Sequence, residues 1–201
     1  MLYYTHMIEL LVQAKPIIIF LHALAAALAI GATITTDVLF FNFLKDFHIS
    51  KKEKEVFETI SSLLWMALAA LIVTGILIFF TDTARYMASS KFIVKMILVV
   101  IVTINGLVLN WFVTPHMGEL SFNATDDKKN NMTFMRRVSF ASGGLSISTW
   151  LIIFLLGSVP SIPFAVGQAM LIYLGVIMIV IAGSQLFDYR IRKQYQKISK
   201  R

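Results

Sequence analysis

One apolar run, PIIIFLHALAAALAIGATITTDVLFFNFL from Pro16 to Leu44, holds a single histidine, His22, and a single carboxylate, Asp37. An imidazole in such a run can ligate a metal, carry a proton or hold a hydrogen bond. A carboxylate there can exchange a proton or bind a cation. Other apolar runs add Lys95, Met96, Asn105, Asn110, Ser142, Ser146 and Gln168. Polar groups inside a membrane are costly and turn toward the interior of a helix bundle, so each is a candidate for function. The chain has no cysteine, which excludes disulfides, thiolate metal sites, iron–sulfur clusters and covalently attached haem. It has no GxSxG, P-loop, GxGxxG or HExxH motif.

The elements that carry these residues follow from composition. Of the 201 residues, 58% are hydrophobic and 14% charged. A soluble core does not need so much apolar side chain, so the surplus must face lipid. Five runs reach the length of about 20 apolar residues that spans a bilayer. They cover roughly 16–43, 57–81, 92–115, 138–159 and 163–187. Pro160 and Pro163 in GSVPSIP break the last two apart and predict a tight hairpin. The expected fold is all-α, a polytopic membrane bundle of five helices. Residues 1–15 read as an interfacial helix, with Pro16 in the first turn of the next helix. Residues 16–187 form the membrane domain and 188–201 a basic tail. LHALAAALA offers small-residue cleavage sites, but no basic segment precedes Lys15 and the apolar run continues, so it reads as a span.

Charge gives the orientation. The net charge is +7, gathered in short blocks between the apolar runs. Fourteen of the 18 Lys and Arg fall in the 44–56 loop, the 116–137 loop and the tail, which an odd number of spans puts on one side. Lys15, Arg85 and Lys91 lie on the other. Basic loops stay inside, so the N-terminus is expected outside and the C-terminus in the cytoplasm, in the cell's cytoplasmic membrane. The basic blocks suit anionic lipid headgroups at the cytoplasmic face and contain no nucleic-acid-binding motif.

Depth sorts the polar residues. At 1.5 Å per residue, His22 lies about 9 Å inside the outer boundary and Asp37 roughly 22 Å deeper. Lys95, Met96 and Gln168 are level with His22, and His6 reaches it if the N-terminal segment folds back. Asn110, Ser139, Ser142, Ser184 and Gln185 are near the level of Asp37, with Asn105 between. His116 is close to a full bilayer from His22, near His48. Small and polar residues of the first span, His22 through Ala25, Ala26, Ala29, Thr33, Thr36 and Asp37, form one stripe. Ser139, Ser142, Gly143, Ser146 and Thr149, with Trp150 beside them, do the same on the fourth. Both stripes suit close helix packing as well as a site.

Two functions fit these residues. In the first, His22 is the metal ligand of a noncovalent haem b, with Lys95, Met96 or His6 opposite and Gln168 nearby, serving electron transfer or porphyrin chemistry as a haem-dependent membrane oxidoreductase. Arg85 and Lys91 would hold propionates, and a redox partner or a second copy would be the partner protein. In the second, Asp37, Asn105, Asn110, Ser142 and Ser146 line a polar path of a small transporter or channel. A structural subunit with polar helix contacts is a third.

A family resemblance bears on the first. The first span has an early His, continues through small residues and ends at Phe40–Phe41. The second has Thr74–Gly75 near its end, and the third opens SSKFIVKM, with a Lys one turn in. Over roughly residues 16–115 this resembles the HemJ-type protoporphyrinogen oxidase group and, more loosely, CopD-like copper-resistance membrane proteins. The resemblance implies that His22 ligates haem and Lys95 is its functional partner. The chain lacks the Trp and the Ala-Gly-Leu stretch that follow the His in that group, and it has a fifth span.

Overall fold

A computed structural model describes residues 2–43, 50–115 and 129–198. They form helices α1 (Leu2–Phe43), α2 (Lys51–Thr81), the short α3 (Thr83–Met87), α4 (Ser90–Val108), α5 (Lys129–Ser158) and α6 (Val166–Ile198). Five stretches within them are long and apolar enough to cross a membrane: His6–Phe40, Lys51–Thr81, Ser90–Val113, Arg137–Ser158 and Val166–Ile191.

Local signals explain the ends. Ser50 and Glu53 make a reciprocal capping box that starts α2. Asp82 ends α2 and caps α3 by accepting from the Arg85 amide. Ser89 caps α4. The Pro160–Pro163 segment separates α5 from α6, as its prolines lead one to expect. Beyond Val108 the chain passes into a π-helical turn, Leu109–Val113, which contains Asn110.

The N-terminal segment departs from the expectation of a separate helix. Leu2–Phe43 is one helix with Pro16 inside it. Proline removes one amide donor, but its fixed φ is already helical. Helix-compatible residues on both sides carry the chain through. Lys15 lies over the Tyr86 ring of α3, 5.9 Å from its centroid. The residues before it therefore extend past the end of α2.

Helix α1 packs along α2, and α5 touches α1, α4 and α6. Large side chains join α2 to α4: Phe79 stacks on Phe92 at 5.5 Å, and Trp65 lies against Gly106. Thus α1, α2, α4 and α5 surround a common interior, and α6 leans on α4 and α5. Trp150, Leu98 and Ala29 meet at mid-height. The small residues of α1 leave the volume that Trp150 fills. Phe40, Phe57 and Phe140 make an aromatic layer at the end that carries the basic loops.

Polarity is inverted relative to a water-soluble protein. Thr33, Thr74, Asn105, Ser139, Ser142, Ser146 and Thr149 are buried, while Leu171, Met178 and Ile179 are more than 70% exposed. An apolar exterior around a partly polar interior is what lipid as solvent selects. The chain is a multi-pass membrane protein.

Candidate functional site

The interior holds two polar layers, one toward each end. The layer nearer the α5–α6 hairpin is centred on His22. Its Nδ1 lies 2.8 Å from the Thr74 hydroxyl of α2. That hydroxyl donates its one hydrogen to the Ala70 carbonyl at 2.6 Å. Its oxygen is left to accept, so Nδ1 of His22 is the protonated nitrogen. The ring also hydrogen-bonds the Leu71 carbonyl of α2. This clamp on one ring nitrogen is the arrangement that orients metal-ligating histidines.

Gly75 packs directly against the imidazole. A β-carbon there would sit 3.5 Å from Cε1 of His22, an ordinary contact, so the ring lies close beside α2. Lys95 enters from α4, and its charge acts on His22. Its Nζ is 3.9 Å from where a β-carbon of Gly157 would stand on α5. All four helices around the interior thus contribute to one layer: His22, Thr74–Gly75, Lys95 and Gly157. Among the described residues Lys95 has no acidic partner. Lys91, one turn nearer the hairpin, donates to the Val159 carbonyl at 2.7 Å. Arg85 is exposed on α3.

The clamp can be tested directly. Thr74→Val keeps the shape and removes the acceptor for Nδ1. It is expected to cost about 1–3 kcal/mol, because the imidazole N–H loses its partner in a partly buried site. Thermal melting of the detergent-purified variant against the parent measures this.

The other expected members of this layer do not join it. Met96 is adjacent to Lys95 in sequence, but about 100° around the helix. It points outward and is 38% exposed. Gln168 is exposed and caps its own helix, its side-chain oxygen accepting from the Ala165 amide at 3.1 Å. His6 is exposed and sits 16 residues before His22 in the same unbroken helix, about 24 Å away. It cannot fold back. His48 and His116 lie outside the described residues.

The second layer lies toward the basic loops. A β-carbon on Gly143 of α5 would be 3.3 Å from a carboxylate oxygen of Asp37. Asn105 of α4 donates to the carbonyl of Ser142 at 2.9 Å. Asn105 therefore belongs with Asp37, not between the layers. Ser142 and Ser146 are buried on the same face of α5. Ser184 turns elsewhere. It lies beside Gly144, which faces α6, and donates to the Ile181 carbonyl. Gln185 donates to the Arg137 carbonyl. Asn110 is in the π-helical turn, beyond Asn105 along the same helix.

Sequence reasoning weighed neither Thr74 nor Gly157 as a site residue. Thr74–Gly75 is visible as a Thr-Gly pair, but its partner is 52 residues away. Compared with protein-family models, curated proteins and solved structures, the chain matches none.

Proposed function

We propose that the His22–Lys95 layer binds a noncovalent haem b and serves electron transfer or porphyrin oxidation. The observation that carries this is the Thr74 clamp on Nδ1 of His22, in a layer that also holds the Lys95 amine. The donor set fits haem. Imidazole is a standard axial donor for haem iron. His22 would hold the haem iron, and Lys95 the iron or a propionate. Thr74 would keep the ring oriented. Bound haem would supply one-electron chemistry at iron.

The cytoplasmic membrane is the compartment this reading implies, with the N-terminus outside and the basic end against anionic lipid in the cytoplasm. The His22–Lys95 layer then lies in the outer leaflet, within reach of an external redox partner. The packed layer of Trp150, Leu98 and Ala29 favours this reading over a polar path running through the whole bundle.

The test is an absorbance spectrum of protein purified from a haem-supplied host, oxidised and then reduced with dithionite. A Soret band with sharp reduced α and β bands is expected. His22→Ala should abolish them, and Lys95→Ala should shift or weaken them. Colourless wild-type protein at full haem supply would sink the proposal.

A further inference from the structure

The Asp37 layer is separate from the proposed haem site. It lies 15 residues further along α1, about 22 Å away. Trp150 and Leu98 close the interior between the two, and the Phe40–Phe57–Phe140 layer closes it toward the basic end.

The threonine hydrogens of this layer, and one amide hydrogen of Asn105, are already committed. Thr33, one turn from Asp37, donates its hydroxyl hydrogen to the Ala29 carbonyl at 2.9 Å. Thr36 donates to the Ala32 carbonyl at 2.9 Å. The Asn105 amide donates to the Ser142 carbonyl. Oxygens able to accept are gathered at this level on three helices: Thr33 Oγ1 and the Asp37 carboxyl on α1, Asn105 Oδ1 on α4, and the buried hydroxyls of Ser142 and Ser146 on α5. No charged side chain of the described residues acts on Asp37. The layer is rich in hard oxygen acceptors and holds one carboxyl group on which no basic side chain of the described residues acts. A cation suits both: it takes oxygen ligands and displaces the carboxyl proton. A monovalent ion that displaces that proton leaves the site neutral, whereas a divalent ion would leave a net charge inside the membrane.

We propose that Asp37, Thr33, Asn105 and the Ser142–Ser146 face of α5 form a binding site for an alkali cation, sodium or potassium. The site is independent of the haem proposal. It is tested with the full-length protein in lipid nanodiscs, melted over a titration of NaCl or KCl against choline chloride at constant ionic strength. A ligand that binds only the folded chain raises the melting temperature in a saturable way. A saturable rise on the order of 5 °C is expected at saturation for a chain of this size. Asp37→Asn should lose it, and Thr33→Val should move its midpoint to about tenfold higher salt. If Asp37→Asn does not fold, saturable binding of radioactive sodium to the wild-type chain decides, with Thr33→Val expected to weaken it. No difference between alkali and choline salts would overturn the proposal. So would an undiminished response in Asp37→Asn, or a dependence on pH alone, which would make this a proton site.

Discussion

Trp150→Ala is expected to lower stability by about 3–5 kcal/mol, as large-to-small changes in well-packed interiors do. Trp150 is 2% exposed and meets Ala29 of α1, Leu68 of α2 and Leu98 of α4 within one core. In a membrane the loss is not hydrophobic transfer, because lipid is as apolar as the core. It is lost dispersion contact around a cavity that neighbouring backbones cannot close. Trp150→Phe separates the two properties of the indole. Among the described residues the ring N–H of Trp150 has no hydrogen-bond partner. Phenylalanine keeps most of the volume and removes that orphan donor. It should cost less than half as much as alanine, since an unpaired buried donor itself costs about 1–3 kcal/mol. Unfolding in mixed detergent measures both. Equal losses would mean that the N–H has an acceptor after all, such as a buried water.

Gly144→Leu is the second large effect, and it acts on the seam between α5 and α6. A β-carbon at Gly144 would stand 2.9 Å from Cγ1 of Val180 and 4.0 Å from the Val180 carbonyl oxygen. Leucine adds three further carbons to that clash, so α6 must move. The Thr149 hydroxyl donates to the Leu145 carbonyl, and so it accepts from the Tyr173 hydroxyl at 2.9 Å. Shifting α6 pulls that bond apart. Overpacking of about 1–3 kcal/mol plus about 1 kcal/mol for the strained bond is expected. Gly175→Leu on α6 is the control. A β-carbon there meets nothing within 4 Å, so the change should stay within about 0.5 kcal/mol. If both variants melted alike, the α5–α6 contact would not be as close as Gly144 implies.

These residues show where sequence reading reached and where it stopped. The five spans were legible because partition into a bilayer is a sum over local side chains. The hairpin at Pro160 and Pro163 was legible because proline acts on its own backbone. Depth was legible as well, since each residue advances a helix by a fixed rise. His22 and Lys95 do share a level, and Asp37 lies far from both.

Rotation about the helix axis was not written locally. Met96 has the depth of Lys95 and faces outward instead. Ser142 and Gly143 face α4 and α1, while Gly144, one residue on, faces α6. Those directions depend on how ridges of four helices fit one another, and only the assembled bundle decides them. Gln168 shows the same limit at a helix end. Its side chain serves the Ala165 amide because the α6 terminus must satisfy its own donors. His6 was separated from His22 by continuity, since one proline costs α1 a single hydrogen bond and does not end it. The sequence alone thus determined a membrane protein with polar groups at two depths. The tertiary structure decided that His22, Thr74 and Lys95 meet at one depth and Asp37, Asn105 and Ser142 at the other, because contact between helices depends on azimuth as well as height.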